Sequence, residues 1–254
     1  MSNNFRQPEI IEILRREGKA TVEMLANHFG VTVQTIRRDL TDLAQSGKVD
    51  RVHGGAIIPS GVANINYYER QDLNAHSKAA IAAACAAQIP SGASVFLNIG
   101  TSTEAVAHAL AEHEDLMVFT NNLNIAKILA GNPQFEVVVT GGTLRKSDGG
   151  LVGAMSMAAI EQFRFDIAVV GCSAIDADGD LLDYDIQEVG VSKAVLKRAR
   201  RSFLVADSSK FQRTAPVRIA SLFDLDMFFT DAPLSGSPLA QAAAQSGTDI
   251  VCAG

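Results

Sequence analysis

Residues 20–40 read ATVEMLANHFGVTVQTIRRDL, and this stretch decides the fold of the N-terminal part of the chain. Thr21 suits the start of a first helix, because its hydroxyl accepts an unpaired backbone N–H. Gly30 suits the tight turn that follows, and Thr32 is placed to cap a second helix. Both predicted helices carry an apolar stripe at helical spacing: Val22, Leu25, Ala26 and Phe29 in the first, and Val33, Ile36, Leu40 and Leu43 in the second.

The second predicted helix keeps hydrogen-bonding and cationic side chains away from its apolar stripe. Arginine is the usual bidentate partner of guanine, and glutamine pairs with adenine. Thr35 and one of the two arginines are alternatives for phosphate contacts, which position a helix without reading sequence. Such a helix after a short turn is the reading helix of a helix-turn-helix. We expect DNA contacts from Thr32, Gln34, Thr35, Arg37 and Arg38.

The flanking segments extend this motif to a winged module. Residues 8–17 predict a further helix that begins at proline, a residue tolerated in the first turn. Residues 48–58 predict two short strands around the Gly54-Gly55 turn, which is the pattern of a wing. Two side chains of this wing are expected to reach the DNA backbone or minor groove: Arg51 and His53. The alternative is that the arginines are solvated charges on a small helical domain.

Charge is distributed unevenly along the chain. The 254 residues include 22 basic and 28 acidic side chains, but residues 1–58 hold 8 basic and 7 acidic ones. Attraction to DNA must therefore come from a local basic patch on an acidic protein. The 3 widely spaced cysteines form no disulfide or metal pattern, and no secretory signal is visible, so a cytoplasmic location is expected. The most apolar run, residues 79–89, is too short to span a membrane.

The pattern changes after the wing, and it predicts two domains joined by a linker. Residues 1–58 form the predicted winged helix-turn-helix domain. Residues 59–75 are predicted to be a linker, because Pro59-Ser60-Gly61 interrupts the preceding strand and no clear periodicity follows. Residues 76–254 alternate helical patterns with apolar runs. Such runs, separated by helices, predict an α/β domain whose mostly parallel sheet is covered on both faces.

Small and polar residues follow the predicted strands of this α/β domain. Ligands bind outside the carboxyl ends of the strands in open α/β sheets. Gly100, Thr101, Ser102 and Thr103 open a helix and suit a phosphate, and Gly141 and Gly142 lie at another strand end. Amide and carboxylate groups suited to hydroxyls are Asn121, Asn122 and Asp207, and the cations are Arg145 and Lys210. The alternative is that these are ordinary strand-to-helix turns, which favour the same residue types.

At this point the sequence resembles a known family. The run Gln34-Thr35-Ile36-Arg37-Arg38-Asp39-Leu40, followed by Val52-His53-Gly54-Gly55-Ala56, resembles the N-terminal signature of the DeoR family of bacterial transcriptional repressors. The resemblance extends over nearly the whole chain. It implies a C-terminal sensing domain like the sugar-phosphate isomerase fold, which binds a phosphorylated sugar or polyol at the strand ends.

The resemblance also gives a preferred effector. Beyond the candidate site residues, the matching segments are Asp148-Gly149-Gly150, Leu182-Asp183-Tyr184-Asp185 and Glu188. The asparagine pair and the Asp-Gly-Gly run favour glycerol 3-phosphate. Two positions depart from the family pattern: Asn98 stands where the family usually has Asp, and Ser192-Lys193 stands where a Lys-Arg pair is usual.

Other chemistry is not favoured by the sequence. No Walker loop and no G-x-G-x-x-G follows a strand, so no nucleotide cofactor is expected. Residues 176–180 resemble the start of a calcium loop, but Leu181 and Gln187 occupy positions where that loop requires Gly and Glu. We therefore expect no metal, no cofactor and no catalytic residues.

The sequence thus predicts a repressor of a carbon-catabolism regulon, which binds operator DNA as a homo-oligomer and is released by a phosphorylated polyol or sugar. One alternative is a sugar-phosphate isomerase with a DNA-binding appendage, in which Asp183, Asp185, Glu188 and Lys210 act as acid and base. Chemical conversion of the ligand would distinguish such an enzyme from a repressor. A transcriptional activator of the same architecture is a further alternative, which the sequence does not exclude.

Overall fold

A computed structural model describes residues 6–17, 19–45, 48–52, 54–57, 67–234, 239–240 and 247–253. The chain divides into two compact units, residues 1–63 and residues 64–254. Each unit has its own apolar core, and each is described by itself.

The first unit is a winged helix-turn-helix. Its elements are α1 (Arg6–Glu17), β1 (Lys19–Thr21), α2 (Val22–Phe29), α3 (Val33–Gln45), β2 (Asp50–Val52) and β3 (Gly55–Ile57). The three strands pair antiparallel in the order β1-β3-β2. The wing formed by β2 and β3 was predicted from its Gly54-Gly55 turn, whereas β1 was not, because β1 pairs with β3 residues that are far away in the sequence. Gly55 lets β1 approach, since a Cβ there would lie 2.2 Å from the Ala20 carbonyl oxygen.

Local signals at the start of α2 and α3 act as predicted. The backbone N–H of Met24 donates to Thr21 Oγ1 at 3.1 Å, and Gly30 ends α2 with φ at 62°. The three helices enclose a core whose fully buried members include Ile10, Leu14, Leu25, Ile36 and Leu40. The apolar stripes therefore fix which faces of α2 and α3 point inward.

The second unit is an α/β domain built on a parallel sheet. Among the described residues, seven strands pair in parallel in the order β15-β14-β12-β9-β4-β5-β6. The strands are β4 (Ser94–Leu97), β5 (Met117–Thr120), β6 (Glu136–Val139), β9 (Phe165–Val170), β12 (Ala199–Val205), β14 (Met227–Thr230) and β15 (Asp249–Cys252). The predicted α/β fold class is confirmed.

Helices cover the sheet and separate its strands along the chain. They are α4 (Tyr67–Asp72), α5 (Ala75–Ala86), α6 (Thr101–Ala109), α7 (Leu123–Leu129), α8 (Ala154–Glu161) and α9 (Ile186–Arg198). Two apolar clusters result, one containing Phe96 and Phe165 and the other containing Val95 and Phe203. None of the helices in the described ranges is both long and apolar enough to cross a membrane.

Two small sheets lie outside the sequence prediction. One is a hairpin of β7 (Thr143–Arg145) and β8 (Gly150–Val152), and the other joins β10 (Ala174–Ile175), β11 (Asp180–Asp183) and β13 (Val217–Ser221). All are antiparallel. Strands of two to five residues carry too few side chains to show an alternating pattern.

The prediction that the linker continues to residue 75 differs from the structure. Residues 67–72 form α4, whose Tyr67 is 8% exposed and packs within the second unit. The next helix, α5, already begins at Ala75. One and a half helical turns are too short to show periodicity, so tertiary packing decides this segment. The rest of the predicted linker, residues 59–66, lies outside the described residues.

Candidate functional site

The reading helix α3 exposes the side chains that the sequence singled out. Gln34, Arg37 and Arg38 are exposed, while the opposite face is buried. At the start of the helix, the Thr35 N–H donates to Thr32 Oγ1 at 3.3 Å, and the two threonine hydroxyls are 2.9 Å apart. The helix therefore begins with two threonine hydroxyls and presents an amide and two guanidinium groups to solvent.

Arg51 contacts the reading helix. Its Nη1 donates to the Arg37 carbonyl oxygen at 3.2 Å and to Thr41 Oγ1 at 3.0 Å. One end of the guanidinium thus fastens the wing to α3, and the side chain as a whole remains exposed. The second predicted wing contact, His53, lies outside the described residues.

Asp39 stabilises the reading helix from inside. It is 1% exposed, and its carboxylate accepts a hydrogen bond from Arg6 Nε at 3.0 Å. This ion pair joins α1 to α3 behind the exposed arginines. In the sequence Asp39 stands out only as part of a motif, because its partner is 33 positions away.

In the second unit, the strand ends bring together the predicted effector residues at one edge of the sheet. The Gly100–Thr103 turn opens α6, with Gly100 at φ 146°. The Thr103 hydroxyl is turned into the loop, within hydrogen-bond distance of the carbonyl oxygens of Asn98 (2.6 Å) and Gly100 (2.8 Å). Thr101 is half-buried and Ser102 is buried. Thr103 thus shapes the loop, and the N-terminus of α6 remains suited to an anion.

The two asparagines after β5 differ in their hydrogen bonding. Asn122 is occupied, since its Oδ1 accepts from the Asn124 N–H at 2.8 Å and its Nδ2 donates to Glu104 Oε1 at 3.0 Å. Asn121 donates to the Leu151 carbonyl oxygen at 3.1 Å. Its buried Oδ1 has no hydrogen-bond partner among the described residues. Buried polar groups normally have a partner, so this oxygen has an unused hydrogen-bonding position.

The glycine pair after β6 has a packing role. Ser156 Oγ donates to the Gly141 carbonyl oxygen at 2.5 Å, and a Cβ at Gly142 would lie 2.1 Å from the same hydroxyl oxygen. Gly142 also has φ of 140°, which other residues rarely adopt. The turn therefore fits closely against the start of α8.

Arg145 is surrounded by carboxylates. Its Nη2 lies 2.6 Å from both Asp148 Oδ2 and Glu188 Oε2, and its Nη1 lies 2.9 Å from Asp185 Oδ2. Burial opposes the charged guanidinium, but the hydrogen bonds to Asp148 and the charge of Glu188 raise its pKa. The structure thus places Arg145 as the counterion of three carboxylates, and its charge is not free for a phosphate.

Burial raises the pKa of two carboxyl groups near Arg145. Burial and the neighbouring Asp183 raise the pKa of Glu188 to about 7. Burial likewise raises the pKa of Asp183, which accepts a hydrogen bond from Ser173 Oγ at 3.0 Å. Glu188 is therefore a carboxyl group that titrates near neutral pH.

A second group of charges, mostly cationic, surrounds Asp207. Lys78 and Lys210 are 5% and 8% exposed, and burial lowers the pKa of both amines, that of Lys78 to about 8. Burial opposes ionisation of Asp207, but Lys210 and hydrogen bonds from Ser209 and Asn74 outweigh it and lower its pKa. Arg70 acts electrostatically on both lysines. We call Arg70, Lys78 and Lys210 the cation group.

Two members of the cation group were not among the predicted site residues. Arg70 lies in the segment predicted to be a linker. Lys78 lies in an alanine-rich helix, where it is the only Lys, Arg, Asp or Glu among twelve residues. A single charge on the buried face of such a helix is unusual for lysine, and that signal was available in the sequence. Arg70 offered no comparable signal.

A winged helix-turn-helix that presents arginines, together with an α/β domain that gathers opposed charges at its strand ends, defines a DNA-binding transcriptional regulator with a sensor domain. Comparisons with known proteins agree. Residues 6–62 match the model of the DeoR-like helix-turn-helix domain, and residues 73–232 match that of the DeoR C-terminal sensor domain. The chain belongs to the DeoR family of transcriptional regulators.

Similar proteins are named as repressors. The glycerol-3-phosphate regulon repressor of Escherichia coli is 42% identical over 92% of each chain. That of Haemophilus influenzae is 46% identical over 92% of this chain and 91% of its own. The transcriptional repressor CsqR of E. coli is 38% identical over 91% and 88%. These proteins support a repressor function for this chain.

Among solved structures, the ribose 5-phosphate isomerase from Plasmodium falciparum is similar to this chain with a TM-score of 0.38 and 14% identity. The match covers 53% of this chain and 52% of that chain.

Proposed function

We propose that this protein is a repressor that releases its operator when glycerol 3-phosphate binds the sensor domain. Relatives named as glycerol-3-phosphate regulon repressors, 42% and 46% identical, support this choice of effector. The observation that carries the proposal is the cation group near Asp207, in a domain where some buried polar atoms lack a hydrogen-bond partner. Those atoms, among the described residues, include Asn121 Oδ1 and Ser209 Oγ.

In this proposal, the phosphate lies between the cation group and the N-terminus of α6. Lys78 and Lys210 supply charge, and backbone N–H groups of the Gly100–Thr103 turn supply donors. The glycerol hydroxyls pair with Asn121 Oδ1 and with the Asp207 carboxylate, because both are acceptors. Arg145 keeps the three carboxylates in place and does not contact the phosphate.

We further propose that Gln34, Arg37 and Arg38 read the DNA bases. In this proposal Thr32 and Thr35 lie near the sugar-phosphate backbone of the DNA. Helix-turn-helix proteins commonly bind paired half-sites as dimers, so we propose that a homo-oligomer binds the operator in the cytoplasm. Whether the oligomer is a dimer or a tetramer is decided by sedimentation of the full chain. An activator of the same architecture would raise transcription from its promoter, and a reporter assay distinguishes the two.

A second candidate function is an isomerase-type enzyme, and the observation that favours it is Glu188. A carboxyl group with a pKa of about 7 is suited to general acid–base chemistry. We propose instead that the ligand is released unchanged, because the relatives are named as repressors. Conversion of a bound sugar phosphate would reverse that choice.

Thermal unfolding with a panel of ligands tests the proposal. The panel contains glycerol 3-phosphate, several sugar phosphates, inorganic phosphate and glycerol, and each ligand is analysed afterwards for conversion. A ligand at 100 times its dissociation constant adds about 2.7 kcal/mol to the free energy of unfolding. Lys210→Met should abolish the stabilisation, while Lys193→Met, at an exposed position on α9, should leave it intact. If only another sugar phosphate stabilises the protein, that compound and not glycerol 3-phosphate is the effector. If no ligand of the panel stabilises it, the proposed site is wrong.

A further inference from the structure

We propose that helix α4 transmits effector binding to the DNA-binding unit, through Tyr67 and Arg70. The proposal rests on the function proposed above and adds to it the element that carries the signal. It follows from what α4 contacts, from the incomplete pairing of Arg70, and from the place of α4 in the chain.

Tyr67 ties α4 to two other helices. Its hydroxyl donates to Glu104 Oε2 at 2.8 Å, and it accepts from Asn124 Nδ2 at 2.8 Å and from Gln71 Nε2 at 2.7 Å. The phenol thus uses its one donor and both acceptor positions. Glu104 belongs to α6, which begins with the predicted phosphate turn, and it also accepts from Asn122 at 3.0 Å. A change at the phosphate turn therefore reaches Tyr67 through one carboxylate.

Arg70 is held more weakly than Tyr67. Its Nη2 lies 3.7 Å from Asp148 Oδ2, an oxygen that Arg145 Nη2 approaches to 2.6 Å. Its Nε is buried and has no hydrogen-bond partner in the described part of the chain. A phosphate offers the paired acceptors that a guanidinium binds best. A bound phosphate would draw Arg70 away from Asp148.

Lys78 connects the same helix to the cation group. Its Nζ donates to the Arg70 carbonyl oxygen, which belongs to the backbone of α4. The charge of Asp207 also attracts this amine. A phosphate that accepts hydrogen bonds from Lys78 Nζ competes with the Arg70 carbonyl oxygen for this donor. The ligand therefore weakens a second contact that holds α4 in place.

The position of α4 in the chain gives these contacts a consequence. Strand β3 of the wing ends at Ile57, and α4 begins at Tyr67. Residues 58–66 are the covalent path between the two, and nine residues span at most about 30 Å. A rotation or shift of α4 therefore changes the point from which this path starts. A ligand shifts such an equilibrium only if it binds one arrangement more tightly, and the competition for Arg70 and Lys78 supplies that difference.

Replacing Tyr67 by Phe tests the inference, because it removes one hydroxyl and keeps the ring. Tyr68→Phe is the matched control, since Tyr68 is 70% exposed. For each protein, calorimetry gives the dissociation constant of glycerol 3-phosphate, and fluorescence anisotropy gives that of operator DNA with and without the ligand. Coupling between two sites is typically about 5–150-fold and is reciprocal. A merely structural role changes stability but leaves this factor unchanged.

We expect Tyr67→Phe to bind glycerol 3-phosphate within about threefold of the wild type while the ligand's effect on operator binding falls below about fivefold, the lower end of this range of coupling. Tyr68→Phe should keep the full effect. A full effect in Tyr67→Phe would overturn the inference, as would loss of ligand binding, which would make Tyr67 part of the binding site itself. Failure of the wild type to bind glycerol 3-phosphate would overturn the proposed function, and this inference with it.

Arg70→Gln provides a second variant in case Tyr67→Phe does not fold, as judged by circular dichroism. It should weaken glycerol 3-phosphate binding at least about tenfold, because a charge-assisted phosphate contact is lost. At saturating ligand it should also show less release of operator DNA. Unchanged ligand binding and unchanged release would overturn the role of Arg70.

Discussion

Asn98 Nδ2 donates a hydrogen bond of 2.7 Å to Ser192 Oγ, and this contact joins the end of β4 to the middle of α9. Both side chains are 1% exposed. Asn98 Oδ1 accepts from the Ile99 N–H at 2.8 Å, and the Ser192 hydroxyl donates to the Glu188 carbonyl oxygen at 3.1 Å. The family resemblance implies Asp at the first of these positions and Lys at the second. In this chain the two positions meet in one hydrogen bond between neutral side chains.

Ser192→Ala should destabilise the sensor domain, because it leaves the buried Asn98 Nδ2 without an acceptor. An unsatisfied buried polar group costs about 1–3 kcal/mol. Urea unfolding of Ser192→Ala, Asn98→Ala and the double variant measures the pairwise energy in a double-mutant cycle. The double variant should lose less than the two single variants together. Strictly additive losses would contradict an energetic role for this hydrogen bond.

Arg37→Ala and Arg38→Ala should weaken operator binding. If the arginine contacts a base, the loss is about 1–3 kcal/mol. An arginine that contacts phosphate should weaken binding to all DNA sequences and should reduce the salt dependence. Anisotropy titrations with operator and scrambled DNA at two salt concentrations separate these cases.

Arg164→Ala is the control for the arginine variants, since this exposed residue lies in the sensor domain. Full operator affinity in both Arg37→Ala and Arg38→Ala would contradict the assignment of α3 as the reading helix. Arg51→Ala should release the wing from α3, so it should lower both the stability of the DNA-binding unit and its DNA affinity.

Glu188 should make the free energy of unfolding depend on pH. Its pKa in the folded protein is raised to about 7 from the ordinary value of 4.5, so the folded state binds the proton more tightly than the unfolded chain. The contribution is fully present below about pH 4.5 and is lost as the pH rises through about 7. A shift of this size corresponds to on the order of 3 kcal/mol.

Glu188→Gln should remove this pH dependence, because the amide does not titrate. Urea unfolding of both proteins between about pH 5 and pH 8 measures the difference. Carboxylates common to both proteins contribute to each curve alike, so the difference between the curves reports Glu188. Glu161→Gln, at an exposed position on α8, serves as the control and should follow the wild type. Parallel curves for wild type and Glu188→Gln would show that Glu188 is ionised throughout this range.

Lys78 should limit effector binding at alkaline pH. Burial lowers the pKa of its amine to about 8, and a phosphate monoester becomes dianionic above about pH 6. Affinity for glycerol 3-phosphate should therefore be greatest between these two values and should fall above pH 8. Lys78→Arg should lessen the alkaline fall, since arginine stays protonated, while Lys210, whose pKa burial also lowers, still titrates. Lys127→Arg, on the exposed face of α7, should retain it.

The DNA-binding unit shows how local patterns lead to correct predictions. The stripes of α2 and α3 have a period that only a helix can bury on one side, and each cap acts within three residues. The role of Arg51 was less accessible, because its contacts are with Arg37 and Thr41, ten or more positions away. Charge and exposure alone do not distinguish a residue that fastens a wing from one that contacts DNA.

For the proposed effector site, contacts between distant residues mattered more than local patterns. The sequence predicted the strand ends, because buried parallel strands are apolar and the residues after them are small or polar. It did not predict that Arg145 would face three carboxylates, of which Asp185 and Glu188 are 40 and 43 positions distant. Nor did it place Arg70 and Lys78 in the proposed site, since both precede the first strand of the sheet.

The sequence by itself determined the order of the two domains, the face of the reading helix and the edge of the sheet where we propose that a ligand binds. These follow from periodicity, capping and strand composition, which are properties of neighbouring residues. Only the tertiary structure decided which charges oppose each other, and that α4 belongs to the sensor domain. The physical reason is that electrostatic pairing and burial depend on distances between residues far apart in the chain, and those distances exist only once the sheet has formed.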